Sequence, residues 1–200
     1  MQRILTLLCC FSLCSISGLA QTKSSGTAKN NLQDVNWAAR SISGDSHAKM
    51  STMSDQQFVD FAGQTDMVDA NLGQSAGRVV DSQRVKNLGH KLVTDETNDF
   101  QALLKAARQS NLNVPRAIDR ENNRAMIEPI QHLAGSGFDR SFVREIVAGD
   151  TKAIGVYKRE ASEAQTPALR SYAEEALPIL QADLDKARQI ETSSSAAKKG

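Results

Sequence analysis

Residues 85–104 read VKNLGHKLVTDETNDFQALL. Val85, Leu88, Leu92, Val93, Phe100, Leu103 and Leu104 recur at offsets of three and four, the spacing that stacks side chains on one face of an α-helix. Glu96 stands in the middle of that apolar arc, with Leu92 and Val93 one turn behind and Phe100 one turn ahead. The stretch predicts a long amphipathic helix that turns one carboxylate toward a core. Asp81-Ser82 offers its cap, and Asn111-Leu112-Asn113-Val114-Pro115 ends it.

Three further stretches follow the same pattern. Ser54-Asp55-Gln56-Gln57 has the form of a capping box and precedes Phe58, Phe61, Ala62, Leu72 and Ala76, with Asp69 among them. Ser136-Gly137-Phe138-Asp139 opens a helix whose stripe is Phe142, Ile146, Val147, Ile154 and Tyr157, with Asp150 at its centre. Thr166-Pro167 places a cap before a proline at the first helical position. Leu169, Tyr172, Ala173, Ala176, Ile179, Leu180, Ala187 and Ile190 follow around Asp183, and Pro178 interrupts the backbone bond to Glu174. Four helices of roughly 21 to 28 residues, each about 30–40 Å long, predict an all-α, up-down four-helix bundle. Residues 115–135 form the crossover, with a short extra helix near 119–133. The composition agrees: 25 Ala in 200 residues and 4% aromatics favour helix over strand.

The inward acids share a weak internal repeat. LVTDET (92–97), IVAGDT (146–151) and ILQADL (179–184) superpose with Glu96, Asp150 and Asp183 in register, as a duplicated helix hairpin would give. A carboxylate facing a core is costly unless it is paired, protonated or bound to a cation. Asp69, Glu96, Asp150 and Asp183 are therefore the candidate metal ligands, one from each helix. The alternative has them near a wet end of the bundle, or hydrogen-bonded to Tyr157, Thr97, Thr151 or a buried water. No Glu-x-x-His occurs, and His90 and His132 fall off the stripes while His47 lies in the leader. An oxygen-only set suits Mn, Ca or Mg better than Zn or Cu. Asp66 and Asp99, three residues from Asp69 and Glu96, read as solvent-facing charges that could extend the set. Gly73, Gly89, Gly149 and Gly155 read as points of close helix approach.

The ends carry different information. Residues 1–20, MQRILTLLCCFSLCSISGLA, have a basic Arg3, an apolar stretch and small residues at Gly18 and Ala20, the pattern of a secretory signal peptide. The cysteines do not follow the small residue that a lipoprotein signal requires. Cys9, Cys10 and Cys14 all lie in this segment, so the processed chain has no disulfide and no thiolate chemistry. Processing also balances the charge: Lys+Arg falls from 24 to 23 with the loss of Arg3, against 23 Asp+Glu. That balance argues against nucleic acid as a partner. No later stretch is apolar enough for a transmembrane segment. Residues 21–53, with a lone Trp37, read as a flexible leader, 54–191 as the bundle and 192–200 as a disordered tail.

In this order the motifs resemble a bacterial exported family, domain of unknown function 4142, whose members often carry an outer-membrane label. The resemblance runs from Phe58 to Ile190 and rests on Phe58-Val59, Asp69-Ala70-Asn71-Leu72-Gly73, Leu92-Val93-Thr94-Asp95-Glu96, Phe138-Asp139-Arg140 and Leu177-Pro178-Ile179-Leu180. It implies a ferritin-like fold and an exported protein, periplasmic or outer-membrane associated. It also implies that the inward polar positions belong to the family's interior. Where the family tends to carry histidines on the three later helices, this chain has Glu96, Asp150 and Asp183, and Asp69 stands at the family's Glu position.

Three functions compete. The first is an envelope protein that binds a divalent cation through the four acids. The second is a metal-free structural or interaction module, its polar tails reaching an envelope protein partner. The third, a ferritin-like redox enzyme, lacks the histidine ligands, and nothing else in the chain forms a catalytic constellation. Oligomeric state is not encoded in these patterns.

Overall fold

The computed structural model describes residues 53–196. The segments read as signal peptide and leader, including Trp37 and His47, lie outside the described residues up to residue 52, as do the last four residues of the tail. Four long helices carry the fold: α1 (Asp55–Val79), α2 (Gln83–Gln109), α4 (Gly135–Glu163) and α5 (Pro167–Ala196). The short α3 (Arg120–Asn122) runs into a π-helical turn, Asn123–Ile127, within the crossover. There is no strand among the described residues, and the predicted all-α bundle is the observed one.

Local signals set the boundaries. At α1 the capping box forms: Ser54 Oγ accepts from Gln57 N at 3.2 Å, and Gln57 Oε1 accepts from Ser54 N at 2.8 Å. α2 ends where Asn111 takes a positive φ of 56°, a left-handed conformation that Asn tolerates better than most residues. α5 corrects the sequence reading. It continues to Ala196 instead of giving way to a tail after Glu191. The hydroxyls of Thr192, Ser193 and Ser194 donate to the carbonyls of Arg188, Gln189 and Ile190 at 3.0, 2.7 and 2.9 Å. These polar side chains find their hydrogen-bond acceptors inside the helix, on the carbonyls one turn back.

Two helix hairpins, α1/α2 and α4/α5, pack with α2 against α5 and α1 against α4. Phe58, Leu103, Tyr157 and Leu169 share one apolar cluster, and Leu72, Val85, Phe138 and Ile190 share another. α1 and α5 therefore run one way along the bundle and α2 and α4 the other, so every adjacent pair is antiparallel. The crossover must travel the length of the bundle, and it does so along α1. Gln56 bonds Asn113 through both the carbonyl and the N–H, at 2.7 and 3.1 Å. Gln64 takes the carbonyl of Ala117 at 3.0 Å and the N–H of Asp119 at 2.9 Å. At the end where α4 turns into α5, the Asp55 carboxylate accepts from Gln165 N and Thr166 N at 2.8 and 2.9 Å.

The α1/α2 contact depends on two of the four glycines singled out above. A Cβ on Gly73 would lie 2.6 Å from the Gly89 carbonyl, and one on Gly89 would lie 2.6 Å from Ala76 Cβ. Gly149 and Gly155 are different, because a Cβ there meets nothing within 4 Å. They face open space, so the expectation of close approach fails for both. Ile179 also departs from its predicted place and is exposed. The buried face of α5 centres on Ala176, Leu180, Asp183, Leu184 and Ala187, which leaves Ile179 at its margin.

The glycines give opposite predictions. Gly89→Ala is expected to cost about 1–3 kcal/mol by overpacking the α1/α2 seam. Gly155→Ala is expected to stabilise by roughly 0.5–1 kcal/mol through helix propensity. Urea denaturation of the two variants reads both signs.

Candidate metal centre: a carboxylate layer across the bundle

The two apolar clusters are separated by acids. On α1, Ala62 belongs to one cluster and Val68 and Leu72 to the other, with Asp66 and Asp69 buried at the transition. On α2, Glu96 and Asp99 lie between Leu92 and Leu103. Asp150 lies between Ile146 and Ala153 on α4, and Asp183 between Leu180 and Ala187 on α5. Six carboxylates among the described residues thus form a layer at mid-height. The four predicted from periodicity are all in it. Asp66 and Asp99, expected at the surface, are buried as well. The reason is geometric. A residue three positions from an inward acid is offset by only a small angle on a helix, and in a four-helix bundle the buried arc is wide enough to take both.

The layer has few partners. Both oxygens of Asp150 and one each of Asp66, Asp69 and Asp183 are buried with no hydrogen-bond partner. Asp99 is served by Tyr172, whose hydroxyl donates to Oδ2 at 2.7 Å. The Tyr157 hydroxyl lies 2.9 Å from that of Tyr172, so the two phenols form a chain that ends on the carboxylate. Thr97 and Thr151, the other suggested partners, instead donate to the carbonyls of Val93 and Val147 at 2.6 Å and are exposed. Asp183 pairs with Lys91, whose Nζ is 2.6 Å from Oδ1, and the same ammonium also bonds Asp95. His90 and His132 are exposed, as their positions off the stripes predicted.

Electrostatics ties the acids together. Burial, with the charges of Asp69 and Asp183, lifts Asp150 to about 9 despite the opposing pull of Lys91. Burial, Glu145 and Asp183 lift Asp69 to about 7. Burial and the fields of Asp69, Asp66, Asp99 and Asp150 raise Glu96 well above the ordinary carboxylate range. Burial, Asp99 and Asp69 do the same to Asp66. Burial lifts Asp99 to about 6, with the hydrogen bonds of Tyr172 and Tyr157 opposing the shift. Asp183 is also raised by burial, with Lys91 working against the shift. Asp69, Glu96, Asp150 and Asp183 therefore interact across all four helices. Even so, among the described residues no three His, Cys, Asp or Glu side chains are arranged to hold a metal ion as they stand. Sequence reasoning missed Lys91. It stands one residue before Leu92 and five before Glu96, and it looked like an ordinary polar-face charge. The one available signal was its i,i+4 spacing to Asp95.

Each raised acid holds its proton more tightly in the folded chain than in the unfolded one. Between the ordinary carboxylate value of about 4 and the raised folded values, the folded state carries more protons. Stability is then fully present below that window, falls as pH rises through it, and levels off above the folded values. The metal-free protein is expected to melt at a lower temperature near pH 9 than near pH 5, and Asp150→Asn should flatten the slope. Thermal denaturation in chelator across pH checks both, and a melting temperature that climbs over this range would contradict the layer's electrostatics.

Among solved structures, one described as "CopM in the Cu(II)-bound form" has a similar fold, with a TM-score of 0.58 at 13% identity, over 70% of this chain and 97% of that one. No curated protein sequence matches. No helix among the described residues is long and apolar enough to cross a membrane. Residues 40–190 match the domain of unknown function DUF4142, three quarters of the sequence and the whole bundle apart from its last turns, and the chain belongs to that family.

Proposed function

We propose that this chain is an exported cell-envelope protein whose carboxylate layer binds a divalent cation of the hard class, Mn, Ca or Mg. The observation that carries this reading is Asp150. It is fully buried, has no partner for either oxygen, and feels the charges of Asp69 and Asp183 on the two helices packed against its own. Six buried carboxylates with one ammonium against them leave an interior short of positive charge. Protons neutralise part of it, as the raised values at Asp69 and Asp150 express. A divalent ion would replace those protons and give the orphaned oxygens a ligand role. Asp69, Glu96, Asp150 and Asp183 would hold it, and their carboxylates would have to turn toward one another to do so. Export rests on the signal-like residues 1–20.

The fold neighbour's description as Cu(II)-bound makes copper the natural competitor. The donors here argue for harder ions: oxygen ligands without imidazole or thiolate suit Mn, Ca and Mg. The metal-free module remains the opposing reading, and it predicts that the acids can be replaced without loss of any ligand.

The test is a titration of metal-stripped protein with Mn(II), Ca(II), Mg(II) and Cu(II), followed by calorimetry and thermal shift. At a hundredfold excess over the dissociation constant, binding is expected to raise the melting temperature by about 5–10 °C. The combined Asp69→Asn, Glu96→Gln, Asp150→Asn and Asp183→Asn variant should fold and lose that response. A flat thermal profile with no heat for any of the four ions would overturn the proposal in favour of the metal-free module.

A further inference from the structure

Resting on the cation reading above, we infer that Lys91 is a tethered occupant of the site, whose ammonium holds a place at Asp183 and withdraws to Asp95 when a divalent ion enters. The geometry is that of a residue with two seats. Lys91 stands at the α2/α5 contact with its side chain 39% exposed, so it reaches inward from the surface. Its ammonium bonds Asp183, whose side chain is 0% exposed, and Asp95, whose side chain is 25% exposed and one turn further along α2. One seat is inside the layer and the other is at its rim. The ammonium bonds both carboxylates at once, so letting go of Asp183 while keeping Asp95 needs only a small rotation about the flexible four-carbon stem.

The inner seat is incomplete, which gives an incoming ion its foothold. Lys91 engages Oδ1 of Asp183, while Oδ2 is buried with no partner. Neighbouring Asp150 has both oxygens without a partner and lies within the field of the same ammonium. Lys91 therefore lends a single positive charge to a group of acids that could accept more. A monovalent ion arriving from solution offers no more charge than the lysine already supplies, and it must pay for leaving water. A divalent ion brings twice the charge and can bind oxygens that Lys91 leaves unused. The tether thus sets a threshold that divalent ions pass and monovalent ions do not. Asp95 completes the exchange, because the displaced ammonium keeps a counter-charge and is not left unpaired at the surface.

The experiment is an electron paramagnetic resonance titration of full-length, metal-stripped protein with Mn(II), for wild type, Lys91→Met and Asp95→Asn. Folding of each variant is checked by circular dichroism. Removing the tether is expected to tighten Mn(II) binding by roughly tenfold or more, and removing the outer seat to weaken it several-fold. Lys91→Met should also let potassium compete where it does not in wild type. Should Lys91→Met fail to fold, Lys91→Gln serves in its place. A direct readout is the ¹⁵N signal of the Lys91 ammonium in wild type, which should shift when Ca(II) is added and stay unchanged with potassium. If wild type binds Mn(II) but the lysine variants bind equally or more weakly, with no movement of the ammonium signal, the tether is wrong and the cation reading stands. If neither wild type nor variant binds any divalent ion, both fail.

Discussion

The molecule is organised around the cost of holding six carboxylates between two apolar clusters. Full ionisation there would set like charges against each other in a medium that screens them poorly. The structure shows the responses open to it. Asp150 and Asp69 keep their protons toward neutral pH, Asp99 takes a tyrosine hydrogen bond, and Asp183 takes Lys91. None of these satisfies every oxygen. A purely structural layer would gain by replacing such acids with apolar side chains, as buried ionic groups often can be replaced without loss. Their presence on all four helices is the reason to look for a ligand.

The remainder of the fold holds that layer in place. The clusters above and below it exclude water, which is what makes the acids costly and their interactions strong. Gly73 and Gly89 draw α1 and α2 together just below the level at which Asp69 and Glu96 face inward. Asp55 ties the start of α1 to the α4/α5 turn, and Gln56 and Gln64 strap the crossover down along α1. That strap matters for topology. A crossover spanning the whole bundle is what brings the start of α4 beside the start of α2, and so places Asp150 at the height of Glu96.

Much of this was legible in one dimension. Periodicity of three and four named the helices, and it singled out Asp69, Glu96, Asp150 and Asp183 because each interrupts an apolar stripe. Asp66 and Asp99 were misread because periodicity reports a direction but not the width of the buried arc. Gly149 and Gly155 were misread for the same reason, since a glycine near a stripe has a partner only if another helix happens to cross there. Thr192 to Ser194 looked like tail because polar composition does not reveal hydroxyls that bond their own helix.

The amino-acid sequence by itself determined the all-α class, the four inward acids and the lack of thiol chemistry beyond residue 20, because these follow from local spacing and composition. Only the tertiary structure decided which acids face one another, that Tyr172 serves Asp99, and that Lys91 spans the seam between α2 and α5. Those contacts join residues 73 and 92 positions apart in the chain. No periodicity within a single helix carries such a pairing, since it is set by how the hairpins pack.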